Sequence, residues 1–125
     1  MLDSHTWKAH PHWAEDLSAT EQELRETNKE SIAFISELRD DFSGNSKPIV
    51  LNGIIGPRGD AYAPEARLAE NEAEEYHTKQ MRWLAETEVE MGTAMNLTQS
   101  DEAIGFVQAG QAAGLPVVIS FTVET

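Results

Sequence analysis

The stretch Lys47–Asp60, KPIVLNGIIGPRGD, decides the fold prediction for this chain. Its apolar part, Pro48 to Ile55, is typical of a buried strand, and a Gly-Pro-x-Gly turn follows it directly. A second apolar run, Pro116 to Glu124 (PVVISFTVE), follows a predicted helix that ends at Gly114. Because buried strands separated by helical patterns are typical of parallel sheets, the sequence predicts an α/β fold with parallel strands alternating with helices.

The remaining elements follow from capping signals and helical spacing. The spacing of Thr20 and Glu23 fits a capping box, and apolar residues at helical spacing predict a first helix that runs until Gly44. The other predicted elements are an ordered loop over Leu2–Leu17, a loop over Gly56–Leu68, a helix from about Asn71, a short strand near Glu90–Met95 and a helix with Ser100 as its N-cap. The predicted order is loop, helix, strand, helix, strand, helix, strand.

Composition and charge restrict the possible partners. The 125 residues fit one domain, and 22 acidic against 9 basic residues give a formal net charge of −13. This charge repels nucleic acid and anionic membranes, so neither is expected as a partner. No window approaches the roughly 20 apolar residues of a membrane helix. The opening segment lacks the basic and apolar regions of a secretory signal, so we expect a cytoplasmic protein.

The length of the chain bears on which parallel fold it forms. Three strands with helical crossovers fit either an open doubly wound sheet or part of a (β/α)8 barrel, and a complete barrel takes about 250 residues. The glycines Gly53, Gly56 and Gly59 do not make the G-x-G-x-x-G spacing of a dinucleotide-binding turn. We therefore predict a single partial TIM-barrel domain over residues 1–125, about half of a full barrel.

Four segments together resemble the homocysteine S-methyltransferase family, which includes betaine-dependent and S-methylmethionine-dependent enzymes. These segments are LDSHTWKAHPHW, IIGPRGDAY, SDEAIGFVQAGQAAGLPVV and the terminal ISFTVE. The resemblance implies a TIM barrel in which this chain runs from the end of the second strand to the fifth. It also implies transfer of a methyl group to the thiol of homocysteine, with homocysteine and a methyl donor as the partners.

The resemblance further implies zinc, but this chain has no cysteine. In the family, cysteines from the later part of the barrel hold the zinc ion, which lowers the pKa of the substrate thiol and keeps it as the thiolate nucleophile. We therefore expect no metal ligand and no cofactor within this chain, and no methyl transfer by this chain in isolation.

The candidate site residues lie where predicted strands end. Gly56, Pro57 and Gly59 are predicted to form an active-site loop, although a tight turn that needs glycine explains them equally well. Asp60 is a candidate substrate-binding residue on the same loop. Asn96 is a second, because many family members carry a glutamate just after the fourth strand, where this chain has Ala94 to Thr98. Glu124 is a third, provided that the register directs it to the barrel mouth.

The histidines of the opening segment allow a metal interpretation. His10 and His12 form a His-x-His pair, and His5 lies nearby, so imidazoles could be presented to zinc or nickel. Pro11 between them and the lack of a neighbouring carboxylate cluster favour ordinary loop histidines. His77 is expected to pack within a helix.

A non-catalytic alternative also follows from an incomplete barrel. An unclosed parallel sheet exposes unpaired backbone groups and an apolar inner face, for which we predict Val50, Val118 and Phe121. A second copy that covers these edges would make the chain an assembly module. We expect a homo-oligomer under either function.

Overall fold

A computed structural model of the chain describes residues 1–42, 44, 47–61 and 67–123. Its strands are β1 (Leu2–Asp3), β2 (Leu51–Ile55), β3 (Met91–Leu97) and β4 (Val117–Phe121). Its α-helices are α1 (Glu21–Asp41), α2 (Glu70–Ala85) and α3 (Ser100–Ala113), and a short 3-10 helix lies at Pro11–Trp13.

The strands form one sheet in the order β1-β2-β3-β4, and each neighbouring pair is parallel. Helices α1, α2 and α3 connect successive strands, so the predicted α/β class with parallel strands and helical crossovers is confirmed. Within the part of the chain that the structure describes, the sheet is open, and its closure into a barrel stays a prediction.

The opening segment differs from the prediction, because it begins with a strand. Leu2 donates its backbone N–H to the carbonyl of Val50 at 2.8 Å, and Ser4 donates to that of Asn52 at 2.9 Å. The strand itself covers only Leu2–Asp3, and a strand of two residues is too short to produce the apolar alternation that predicts strands. The rest of the segment is ordered by hydrogen bonds, as expected.

The other elements match their predictions with small shifts at their ends. The capping box at Thr20 and Glu23 is present, and Gly114 ends α3 in the left-handed conformation with φ 73°. Helix α1 ends at Asp41 instead of Gly44. Ser100 is the first residue of α3, and the N-cap is Gln99, so the prediction for Ser100 is wrong by one residue. Such shifts are common because helix ends fray.

The core lies between the sheet and its helices. Leu51 and Ile55 of β2 are fully buried there, with Met81 and Leu84 of α2 and Phe106 of α3. No helix among the described residues is both long and apolar enough to cross a membrane.

The prediction of Phe121 on the inner face of the sheet is wrong. Ile119 and Phe121 line an apolar groove of about 270 Å³ together with residues of α3. Because successive side chains of a strand point to opposite faces, Val118 lies on the other face, in register with Thr93. Val118 is 47% exposed, whereas Val50 precedes β2 and is half-buried.

Candidate functional site at the carboxyl end of the sheet

The carboxyl ends of the parallel strands lie along one edge of the sheet, where α/β proteins build their sites. The segments there are Ser4–Thr6 after β1, the turn Gly56–Gly59 after β2, the end of β3 at Asn96 and Leu97, and Thr122 after β4. The sequence predicted the turn and Asn96 as parts of this edge.

The turn Gly56–Gly59 is pressed against the opening segment. Gly56 donates its N–H to the carbonyl oxygen of Trp7 at 3.0 Å. A Cβ atom on Gly56 would lie 2.7 Å from that oxygen and 3.0 Å from the indole Cε2. Gly59 has φ 80°, in the left-handed region that favours glycine. The structure therefore explains why glycine is needed at both positions. A substrate contact by this turn stays a prediction.

A buried carboxylate on α3, which was not among the candidate residues predicted from the sequence, binds the backbone of the turn. Glu102 of α3 is 2% exposed, and its Oε1 accepts the N–H of Arg58 at 2.6 Å. The same oxygen lies 3.0 Å from Nε2 of His77, which is fully buried. From its position alone, Glu102 is an acidic residue in the first turn of α3, where the helix dipole favours negative charge. Its spacing of four residues from Phe106 places it on the buried face of α3, and that spacing was the available signal.

Two hydroxyl groups extend the pairing of β1 beyond its last residue. Thr6 Oγ1 donates to the carbonyl of Ile54 at 2.6 Å, and Ile54 donates its N–H to Ser4 Oγ at 2.9 Å. The two hydroxyl oxygens are 2.6 Å apart. Since the hydrogen of Thr6 is already used, Ser4 donates to Thr6. These side chains replace backbone pairing while the chain turns towards Trp7.

A second polar group crosses three strands on the sheet face away from the helices. Asn52 donates from Nδ2 to Asp3 Oδ1 at 2.9 Å, and Thr93 donates from Oγ1 to Asn52 Oδ1 at 2.8 Å. Asn52 is fully buried and Thr93 is 6% exposed. The sequence does not indicate this row of polar side chains, because Asn52 lies within an otherwise apolar run. Each contact satisfies polar atoms that would otherwise be costly to bury.

Asp60 and Asn96 lie at the predicted edge, and Glu124 is outside the described residues. Asp60 follows the turn and is exposed. Asn96 is half-buried with φ 66°, in a register irregularity of β3 between Ala94 and Leu97. Such bulges re-aim side chains near the ends of strands, and asparagine tolerates the left-handed conformation better than most residues. The roles of Asp60, Asn96 and Glu124 as substrate contacts stay predictions.

The histidines of the opening segment serve its packing. His10 Nε2 donates to the carbonyl of Tyr76 at 2.8 Å, and its Nδ1 accepts the N–H of His12 at 3.0 Å. The His10 ring stacks on Tyr76 with a centroid distance of 3.9 Å. Burial lowers the pKa of His10 to about 4, so its ring is neutral near pH 7, which fits one donating and one accepting nitrogen. His5 is exposed, and its backbone N–H donates to Ser31.

The described residues do not form a zinc site of the kind that the family resemblance implies. Across residues 1–42, 44, 47–61 and 67–123, no three His, Cys, Asp or Glu side chains are grouped so that they could hold a metal ion. Both ring nitrogens of His10 already have protein partners. The chain also contains no cysteine to supply a thiolate.

The fold is that of an α/β protein built from repeated βα units, and the turn Gly56–Gly59 lies at the carboxyl end of β2. A comparison with protein-family models matches the homocysteine S-methyltransferase family over residues 1–125. The chain belongs to this family, which confirms the resemblance seen in the sequence. A search of curated proteins gave no match.

Proposed function

We propose that this chain forms part of the substrate-binding edge of a homocysteine S-methyltransferase, which transfers a methyl group from a donor to the homocysteine thiol and yields methionine. The observation that carries the proposal is the family match over residues 1–125, which includes the turn held at the carboxyl end of β2. The four parallel strands in sequential order fit consecutive strands of a TIM barrel, which we propose as the complete fold.

In this proposal the edge of the sheet binds and orients an amino-acid substrate. Gly56, Pro57 and Gly59 shape the loop that carries Asp60 at the carboxyl end of β2. The carboxylate of Asp60 suits an ammonium group. Asn96 accepts a hydrogen bond from such a group but brings no compensating charge.

The thiol-activating chemistry of the family lies with zinc, which acts as a Lewis acid and lowers the pKa of the bound thiol. Because the described residues do not fit a zinc site, we assign no step of the reaction to a metal held by them. The proposal therefore requires cysteine ligands from outside these 125 residues, and it expects no methyl transfer by the chain alone.

A chimera tests the proposal. This chain replaces the matching stretch of an active family enzyme that retains its own cysteine ligands, and methyl transfer to homocysteine is measured together with zinc content. We expect the chimera to form methionine, while the isolated chain with added zinc forms none. A folded chimera that holds zinc but transfers no methyl group would contradict the proposal, as would activity of the isolated chain.

A further inference from the structure

The buried pair of Glu102 and His77 has no part in the proposed substrate contacts, yet it joins two helices to the turn after β2. Glu102 is 2% exposed and His77 is fully buried. Burial of an ionisable side chain is costly unless other groups satisfy it. The pair therefore calls for a physical reason beyond packing.

The hydrogen bonds of the pair converge on one oxygen atom. Glu102 Oε1 accepts the backbone N–H of Arg58 at 2.6 Å and lies 3.0 Å from His77 Nε2. Since a carboxylate oxygen only accepts, Nε2 of His77 carries the hydrogen. Bonds of this kind to a charged oxygen are shorter and stronger than bonds between neutral groups. The bond from the N–H of Arg58 is short, at 2.6 Å, and ties the backbone of the turn to α3.

The ring of His77 is held so that Nε2 faces this oxygen. It packs edge to face against Tyr76, with a centroid distance of 4.9 Å, and against Phe106, with a centroid distance of 5.1 Å. Its Nδ1 is buried and has no hydrogen-bond partner among the described residues. The histidine is thus oriented by two aromatic neighbours and by Glu102.

The turn Gly56–Gly59 has an anchor on each side. Gly56 donates its N–H to Trp7 of the opening segment at 3.0 Å, and Arg58 donates to Glu102 of α3 at 2.6 Å. Two residues apart, these bonds fix both the start and the middle of the turn, directly before Gly59 takes its left-handed conformation.

We propose that Glu102, aimed by His77, is a positioning residue that holds the Gly56–Gly59 turn in the shape required for substrate binding. The inference rests on the proposed function for the role of the turn. The effect of Glu102 on the backbone of Arg58 does not depend on that function and can be measured in the isolated 125-residue chain.

The test follows the Arg58 amide by NMR and hydrogen exchange in Glu102→Gln and Glu102→Ala. Glu102→Gln keeps an accepting oxygen but loses the charge, so we expect an upfield shift of the Arg58 amide proton and moderately faster exchange. Glu102→Ala removes the acceptor, and we expect exchange at Arg58 to accelerate by roughly 10-fold to 100-fold, which is the worth of a hydrogen bond to a charged group. The amide of Ile54 in β2 serves as an internal reference, because general destabilisation would accelerate both.

Two matched variants separate positioning from loss of charge and from loss of packing. Asp101→Asn removes the neighbouring acid of the same helical turn, which faces Arg67 at 3.7 Å, and should leave the Arg58 amide unchanged. His77→Phe keeps an aromatic ring between Tyr76 and Phe106 but removes the donor to Glu102. We expect it to accelerate exchange at Arg58 less than Glu102→Ala does.

An Arg58 amide that exchanges within about twofold of the wild type in a folded Glu102→Ala chain would overturn the proposal. If Glu102→Ala does not fold, an unchanged Arg58 amide in Glu102→Gln would overturn it equally. In an active chimera, Glu102→Gln should also reduce kcat/KM more than Asp101→Asn. An inactive chimera whose Arg58 amide still depends on Glu102 would contradict the proposed function alone, so the two failures are distinguishable.

Discussion

Strands β2 and β4 have similar lengths and similar apolar sequences, LNGII and VVISF, yet their burial differs completely. Every residue of β2 is buried, whereas β4 contains only half-buried and exposed residues. β2 is paired on both sides and packs under the helices, whereas β4 pairs only with β3 among the described strands. The difference shows that burial depends on neighbouring elements and not on the strand's own composition.

Of the changes that test this comparison, truncation of a core residue in β2 should cause the largest loss of unfolding free energy. Leu51 is fully buried, and Leu51→Ala should lower the free energy of unfolding by about 2–5 kcal/mol, because it leaves a cavity. Val118→Ala in β4 is the control, since Val118 is 47% exposed, and it should cost less than about 1 kcal/mol. Urea denaturation measures both, and equal losses would show that β4 is as well packed as β2.

An added methyl group at the end of β2 should have an intermediate effect. Gly56→Ala places a Cβ atom 2.7 Å from the carbonyl oxygen of Trp7. Because this oxygen belongs to the backbone, it cannot move away as easily as a flexible side chain. We expect a loss of about 1–3 kcal/mol of unfolding free energy from this overpacking. Gly92→Ala in β3 is the matched control, because its nearest neighbour, Met81 Sδ, would lie 3.5 Å away. Thermal unfolding compares the two variants, and a tolerated Gly56→Ala would mean that the opening segment is not fixed against the turn.

A charge on β4 should have the smallest effect on folding but a clear effect on association. We predict that the exposed edge and the apolar side chains of Val118 and Phe121 cause the chain to self-associate. Val118→Lys should weaken this association and change the free energy of unfolding by less than about 0.5 kcal/mol, as is usual for surface substitutions.

Sedimentation velocity at micromolar concentration measures the association of the wild type and of Val118→Lys. A Lys substitution at an exposed neutral residue of α1, Ala33→Lys, provides the control, because it also adds one positive charge. A wild-type chain that stays monomeric, or a Val118→Lys chain that associates as strongly, would contradict the prediction.

The sequence predicted the helices and the three longer strands because each repeats its apolar pattern over several residues. The apolar pattern did not predict β1, whose two paired residues carry no periodicity; only the family resemblance, in which the chain starts at the end of a strand, implied one there. It also assigned Phe121 to the wrong face, since the spacing of Val118 and Phe121 by three residues is incompatible with the two-residue period of a strand. The registers of neighbouring strands, which settle such faces, depend on partners that are distant in sequence.

At the candidate site, the sequence located the turn but not what holds it. Gly56 and Gly59 were recognised as turn residues because glycine has few other reasons to occur after a buried strand. Glu102 lies 46 residues after Gly56 and is one of 22 acidic residues, so the sequence does not single it out. Its contact with Arg58 arises only when α3 packs against α2 and β3, and the local sequence pattern does not indicate that contact.

The hydroxyl pair of Ser4 and Thr6 affects how distant relatives should be recognised. Thr6 Oγ1 and Ser4 Oγ complete the pairing of Ile54 at 2.6 and 2.9 Å, so valine at position 6 would match threonine in shape but leave a buried carbonyl unsatisfied. A substitution table that scores threonine and valine as near equivalents will therefore misjudge this position. Homologues that share the geometry should be sought by requiring a hydroxyl at both sites.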